Sequence, residues 1–150
     1  MITKATQNDL HTIYEIVQAT IAAVYPHYYP AGAVRFFSEH HSTDRIMADI
    51  KSSCVYILYS GDTPAATVTI NANEINRLFV LPAYQGRGYG RSLMEFAERE
   101  ISLHYEFAEL SSSFSAQEMY QKLGYIPFDF RKIACENGDW LCYAQMRKEL

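Results

Sequence analysis

The chain has 150 residues, of which 49% are hydrophobic and 20% are charged, and its formal net charge is −4. This length and composition are typical of a globular protein, and we expect one domain over residues 1–150. The acidic balance argues against a nucleic-acid partner, because such proteins usually carry a basic excess. No segment reaches the length of a membrane span, and residues 1–6 lack the apolar core of a signal peptide. We therefore expect a cytoplasmic protein with no membrane partner.

The first half of the chain predicts helices followed by strands. Apolar residues at helical spacing indicate a first helix that begins at Asn8 or Asp9, either of which would cap it. Residues 65–72 alternate apolar and polar side chains, which is typical of a half-buried strand. The further elements predicted here are a strand over 2–5, helices over 31–40 and 43–52, and a strand over 54–60.

The second half predicts a strand that ends at Pro82, a helix from about Tyr89 to Tyr105, and a strand over 107–113. A strand, helix and strand in this order normally form a right-handed crossover between parallel strands. The remaining predicted elements are a helix over 115–123, ended by Gly124, and a hairpin of strands over 125–134 and 139–147.

Three cysteines are an odd number at wide spacing, which indicates reduced thiols. If Asn137 and Gly138 form a two-residue turn, Cys135 lies opposite Trp140 and Cys142 lies opposite Ile133. We therefore expect no disulfide across this hairpin.

A glycine-rich loop separates the strand before Pro82 from the following helix. Gly86, Gly88 and Gly90 let the backbone approach a ligand and present N–H groups to an anion. The loop lacks the Lys-Ser/Thr of a Walker A motif and is one residue too short for the dinucleotide fingerprint. Arg87 and Arg91 lie one helical turn apart and favour an anion. The alternative is a tight connection with solvated arginines.

Two segments carry a family resemblance. Gln85-x-x-Gly88-x-Gly90, preceded by Arg77-Leu78-Phe79-Val80-Leu81-Pro82, resembles motif A of the GNAT superfamily of N-acetyltransferases. The segment from Ala116 to Tyr125 resembles the later motif of that family, Ala-x-x-x-Tyr-x-Lys-x-Gly-Phe/Tyr. The resemblance implies an α/β (α+β) fold with a mixed, mostly antiparallel sheet of about seven strands, flanked by helices. The sheet would be splayed near the glycine loop.

The resemblance further implies acetyl-CoA as cosubstrate, with no metal. The strand before the loop would hold the pantetheine arm, the loop would hold the pyrophosphate, and Ser113 stands where relatives often carry a cofactor-binding Asn. The residues that this implies for cofactor binding are Leu78, Phe79, Val80, Gln85, Gly86, Arg87, Gly88, Tyr89, Gly90, Arg91 and Ser113.

The implied reaction is transfer of the acetyl group to a primary amine by direct attack in a ternary complex. Tyr120 matches the tyrosine that protonates the departing thiolate, since a phenol keeps its proton at neutral pH. The alternative for Tyr120 is a core position on an amphipathic helix. Glu74 heads the strand before the loop, where many relatives carry a carboxylate base. Alternatively, Glu74 is solvated and a water chain takes the proton.

The acceptor pocket would come from the first helices and the final hairpin. Its candidate residues indicate an aromatic, mildly acidic site for a cationic amine; they are Tyr28, Tyr29, Phe36, Phe37, Glu39, His40 and His41. The adjacent histidines lack the spacing of metal ligands. The acceptor is a small molecule or a peptide amine, and a protein acceptor would need an open groove. A non-catalytic CoA-binding sensor or partner module, and a homodimer, stay open as alternatives.

Overall fold

A seven-stranded mixed sheet with five helices packed on it forms the fold. The structure is a computed structural model that describes residues 1–150. The helices are α1 (Leu10–Val24), α2 (Ala31–His40), α3 (Thr43–Lys51), α4 (Tyr89–Ser102) and α5 (Gln117–Lys122). The strands are β1 (Ile2–Lys4), β2 (Val55–Ser60), β3 (Thr63–Asn71), β4 (Glu74–Val80), β5 (Phe107–Ser112), β6 (Ile126–Ala134) and β7 (Trp140–Glu149).

The strand order is β1-β2-β3-β4-β5-β7-β6, and only the β4–β5 pair is parallel. The predicted fold class is confirmed, including the meander of β2, β3 and β4 and the crossover through α4. No helix combines the length and the apolar character that crossing a bilayer requires.

The start of α1 differs from the expectation. Asp9 directly precedes the helix, but its carboxylate accepts hydrogen bonds from both the N–H and the hydroxyl of Thr6, each at 2.7 Å. A 3₁₀ turn over Gln7–Asp9 therefore precedes α1. α1 itself begins directly after Asp9, as expected, but the Asp9 carboxylate makes no capping bond to the helix because it binds back to Thr6.

Two hydrophobic cores lie on the two faces of the sheet. The first core packs α4 and Tyr120 of α5 against residues such as Leu58 and Val68. The second core packs α1, α2 and α3 against residues such as Ile57 and Phe79. β3 is covered on both faces, so its predicted half-buried character is wrong. Thr67 and Thr69 are buried, and the Thr67 hydroxyl donates to Tyr56 O at 2.9 Å.

β4 contains a bulge and separates from β5. Thr69 pairs with Asn76 and Thr67 pairs with Phe79, so that two residues of β4 face one of β3. The bulge reverses the faces of the strand, because Ile75 belongs to the first core and Phe79 to the second. β4 pairs with β5 only at Glu74 and Ile75. Beyond these residues the two strands diverge and leave a cleft.

The turn between β6 and β7 is longer than predicted. Ala134 pairs with Trp140 and Lys132 pairs with Cys142, one residue away from the expected register. The cause is a loop closed by Cys135 N donating to Asp139 O at 2.8 Å, with a 3₁₀ turn over Glu136–Gly138. All three cysteines are free, so the corrected register leaves the expected absence of a disulfide unchanged.

Candidate active site

A cavity of about 800 Å³ occupies the cleft where β4 and β5 diverge. Residues Ile75–Val80 of β4 form one wall, and Ser111 and Ser113 lie on the β5 side. The glycine loop closes one end, and α2 with the β6–β7 hairpin closes the other. The cavity is therefore a channel with a loop end and an α2 end.

The loop end presents backbone N–H groups that have no partner in the protein. The amides of Gly86 to Arg91 make no hydrogen bond, and the first paired amide after them is Ser92 N, which donates to Gly88 O at 2.9 Å. Gly86 and Gly88 have φ values of +73° and +83°, a conformation that favours glycine. Nothing lies within 4 Å of a Cβ built on either residue. This open arc at the start of α4 suits an anion.

The side chains in and beside the glycine loop make different contacts. Gln85 Nε2 donates to Val80 O at 3.0 Å, and the Tyr89 hydroxyl donates to Ser60 Oγ at 2.7 Å. Arg91 lines the cavity and pairs with Glu95 at 3.1 Å. Arg87 lies over the Tyr84 ring, 5.1 Å from its centroid, and does not line the cavity.

Gly90 has a packing role in addition to its place in the wall. A Cβ built on it would lie 3.3 Å from Met119 Sδ and 3.8 Å from Val80 Cγ2. The third glycine of the motif therefore lets the start of α4 lie close to α5.

Tyr120 lies in the cavity wall on α5, with 6% of its surface exposed. Its ring packs edge-on against Tyr125, with the centroids 6.0 Å apart. Burial, and secondarily the nearby Tyr25 phenol, raise the pKa of Tyr120 above its ordinary value. The hydroxyl therefore keeps its proton at neutral pH and can serve as a donor.

A group of hydroxyls lies beside Tyr120 in the same wall. Ser113 Oγ and Ser115 Oγ are 2.9 Å apart. Burial raises the pKa of Tyr25, and hydrogen bonds from these two serines lower it in part. The sequence pattern singled out Ser113 but not Tyr25, which belongs to a 3₁₀ turn after α1.

The two residues predicted to be catalytic are not brought together. Glu74 is exposed at the start of β4, next to Glu109 of β5, and does not line the cavity. Asp49 is the only carboxylate in the cavity wall, and it is bound to Arg77 at 2.5 Å. The structure therefore shows no free carboxylate in the cavity.

The α2 end of the cavity is aromatic. Of the residues predicted for an acceptor pocket, Phe36, Phe37, His40 and His41 line it, whereas Tyr28, Tyr29 and Glu39 do not. Glu39 is exposed and outside the cavity wall, so it does not supply the mild acidity expected of this pocket.

His41 is held neutral. Burial, and then the Arg77 guanidinium, lower its pKa to about 3. Arg77 Nε donates to Nδ1 of His41 at 3.2 Å, which leaves the ring proton on Nε2.

The start of α2 is fastened to the β6–β7 loop. Gly32 N donates to Asp139 Oδ2 at 2.8 Å, and Arg35 Nε pairs with Glu136 Oε1 at 3.1 Å. A Cβ on Gly32 would lie 2.5 Å from Glu136 O, so the two segments touch directly. The two segments that close the α2 end of the cavity are therefore joined to each other.

A family model, described as Acetyltransferase (GNAT) domain, matches residues 24–150. The chain belongs to this family. Membership agrees with the two segments that carry the resemblance and with the divergent β4 and β5 of the sheet.

Solved GNAT structures share the fold of this chain. A GCN5-related N-acetyltransferase from Rhodopseudomonas palustris superposes with a TM-score of 0.92 at 20% identity, covering 100% of this chain and 95% of that one. The PaiA N-acetyltransferase from Thermoplasma acidophilum, in complex with coenzyme A, gives 0.75 at 19% identity, covering 100% and 98%. YncA from Salmonella typhimurium, a putative acetyltransferase with its cofactor acetyl-CoA, gives 0.75 at 16%, covering 100% and 93%. No curated protein matches the chain significantly.

Several wall residues of this GNAT cavity were not singled out from the sequence. Arg77 stands inside the motif-A segment, but its ion pair with Asp49 joins residues that are far apart in the chain. Tyr143 and Leu141 depend on the register of β7. Tyr25 is an aromatic residue next to a proline, a pattern that is only a weak indication of a place in the cavity wall.

Proposed function

We propose that this GNAT chain transfers the acetyl group of acetyl-CoA to the primary amine of a small molecule. One observation carries the proposal, namely the unpartnered N–H groups of Gly86 to Arg91 at one end of the cavity. Backbone amides at a helix start bind a pyrophosphate without a lysine or a metal. The related structures in complex with coenzyme A and with acetyl-CoA support this ligand.

The unpaired edge of β4 suits a cosubstrate with an extended arm. β4 stops pairing with β5 after Ile75, so its backbone beyond the bulge faces the cavity. Leu78, Phe79 and Val80 would hold the pantetheine arm there, as an added strand would. Gln85, Tyr89 and Arg91 would flank the phosphates, and Arg87 contributes from outside the cavity wall.

Acetyl-CoA supplies a thioester, which is an activated acyl group. The backbone of Leu78–Val80 would polarise the carbonyl of that thioester. The amine nitrogen forms the new C–N bond while the C–S bond breaks, and the amine gives up one proton. Tyr120 donates its phenol proton to the sulfur and recovers one from solvent, so that the products are an amide and a free thiol.

Water is the better candidate for accepting the proton of the amine. Glu74 lies outside the cavity, and the only lining carboxylate, Asp49, is paired with Arg77. His41 is neutral, but its Nδ1 already accepts from Arg77. These contacts favour the water chain over Glu74 as the route for the proton.

A small acceptor is favoured over a protein. The contacts of Gly32 and Arg35 with the β6–β7 loop join the two segments that close the acceptor end of the cavity. A peptide segment needs an open groove at this place, whereas a small amine needs only the aromatic end of the channel.

The test is thiol release from acetyl-CoA with a panel of small primary amines, using wild type, Tyr120→Phe and Tyr125→Phe. We expect Tyr120→Phe to lower kcat about 10²-fold, with little change in the KM for acetyl-CoA. Tyr125→Phe is the matched control, because it removes the neighbouring phenol hydroxyl outside the cavity wall. Unchanged turnover in Tyr120→Phe would show that Tyr120 is not the proton donor to the sulfur. Tight CoA binding with no turnover on any amine would favour the non-catalytic binding module.

A further inference from the structure

Arg77 stands at the bulge of β4 in an unusual backbone conformation. Its φ is +47°, in the left-handed region that non-glycine residues seldom adopt. Together with Leu78 it faces the single residue Val68 of β3. Such a conformation persists only where the surroundings over-determine it.

Three side chains from three different elements hold the guanidinium of Arg77. Nη1 donates to Asp49 Oδ2 of α3 at 2.5 Å and to Thr69 Oγ1 of β3 at 3.2 Å. Nε donates to Nδ1 of His41, at the end of α2, at 3.2 Å. Only 7% of the Arg77 side chain is exposed. We call this group the Arg77 clamp.

The clamp lies in the cavity wall, between the α2 end and the part of β4 that would hold the thioester. All four of its residues line the cavity, and the bulge directly precedes Leu78, Phe79 and Val80. His41 also packs edge-on against Phe79, with the ring centroids 5.4 Å apart. The α2–α3 connection, which walls the acceptor end, is therefore tied to the strand that faces the thioester.

We propose that the Arg77 clamp holds the β4 bulge in place, so that Arg77 is a positioning residue for the backbone of Leu78–Val80 and contacts neither acetyl-CoA nor the amine. The inference rests on the proposed function, in which that backbone holds the thioester. Neutral His41 suits this task, because only an unprotonated Nδ1 accepts from a guanidinium.

Two substitutions of Arg77 distinguish a role in positioning the backbone from direct contact with a substrate. Arg77→Ala removes the clamp and keeps a Cβ at positive φ, so the bulge relaxes. Arg77→Gly removes the same contacts, but glycine adopts positive φ without strain. We expect kcat to fall about tenfold or more in Arg77→Ala and to fall less in Arg77→Gly, which loses the clamp but not the preference for positive φ. Equal losses in the two variants would overturn the proposal, because activity would then not depend on the conformation of the bulge.

His41 gives an independent check of the clamp. In His41→Asn the Oδ1 atom can stand in for Nδ1 and accept from Arg77, whereas His41→Leu keeps the bulk and removes the acceptor. We expect kcat to fall further in His41→Leu than in His41→Asn, although both substitutions change the lining of the acceptor end. Equal activity of these two variants would contradict the clamp.

Binding of acetyl-CoA, measured by calorimetry, keeps this test separate from that of the proposed function. We expect acetyl-CoA to bind Arg77→Gly more tightly than Arg77→Ala, whether or not an amine acceptor has been found. Thermal unfolding confirms that each variant is folded. A wild type that binds acetyl-CoA but acetylates no amine would contradict the proposed function alone. A reversed or equal order of affinities in the two variants would overturn the clamp alone.

Discussion

At the scale of single residues, the neutral state of His41 links the cavity to the stability of the fold. Its pKa is lowered from 6.5 to about 3, first by burial and then by Arg77. The unfolded chain therefore binds a proton between these pH values that the folded chain does not bind. The free energy of unfolding must fall as the pH drops below about 6.5.

The first prediction is a pH-dependent loss of stability that His41→Asn reduces. Between pH 7 and pH 4.5 we expect His41 to account for a loss of about 2 to 3 kcal/mol of unfolding free energy. Urea denaturation at both pH values measures the loss. The loss between these two pH values should be smaller by this amount in His41→Asn, because asparagine does not titrate. An identical loss in the two proteins would show that His41 is protonated alike in the folded and unfolded states.

The site residues that could be predicted from the sequence are those that belong to a motif of neighbouring residues. The three glycines and Tyr120 are recognisable because their neighbours in the chain fix their setting, and the structure brings them to one cavity. Their roles in the reaction stay predictions. Arg77 and Asp49 could not be found in this way, because their pairing depends on how α3 packs against β4.

At the scale of elements, α2 and the β6–β7 hairpin, which together close the α2 end of the cavity, touch each other directly. Gly32 allows this contact, since a Cβ there would lie 2.5 Å from Glu136 O and 2.7 Å from Asp139 Oδ2. Gly32 lies in a helix, and the β6–β7 loop is closed by the bond from Cys135 N to Asp139 O. Neither segment can therefore move away without losing hydrogen bonds.

We predict that Gly32→Ala pushes α2 away from the hairpin loop. The KM for the amine should rise several-fold, while the KM for acetyl-CoA, at the other end of the cavity, should not change and so serves as the internal control. Overpacking of this kind typically costs about 1–3 kcal/mol of stability, which thermal unfolding measures. An equal rise in both KM values would mean that the substitution disturbs the whole cavity.

The elements themselves were largely predictable, because long periodic segments dominate this chain. The register of the last hairpin was not, since an Asn-Gly pair favours a two-residue turn in isolation. Here Asp139 instead caps the start of α2 and Glu136 pairs with Arg35. A contact between distant elements has overridden a local preference. The burial of Thr67 and Thr69 escaped prediction for the same reason, because alternation cannot show that helices cover both faces.

At the scale of the whole molecule, the divergence of β4 and β5 leaves an incomplete sheet. The N–H groups of Gly86–Arg91 add a second set of unpaired donors. A ligand that satisfies both stabilises the native state by mass action, about 2.7 kcal/mol at a hundredfold excess over Kd.

We predict that CoA slows amide hydrogen exchange in Gly86–Arg91 and in β4 and raises the thermal midpoint. Gly88→Val should abolish both effects, because valine is strained at φ +83° and fills the space above the loop. Gly61→Val is the matched control, since Gly61 also has positive φ and open surroundings but belongs to the β2–β3 turn. Normal protection by CoA in Gly88→Val would contradict the assignment of the loop.

The packing of α1 determines how far the chain can be shortened from its start without losing the fold. The family match begins at residue 24, at the very end of the helix. Yet Ile13, Ile16, Val17 and Ile21 are almost fully buried in the second core, and Thr20 reaches the cavity wall. We expect a fragment trimmed to the matched region to be strongly destabilised, because it would expose the face of the sheet that α1 covers. The boundary of the recognisable family pattern and the boundary of the cooperative unit are therefore different.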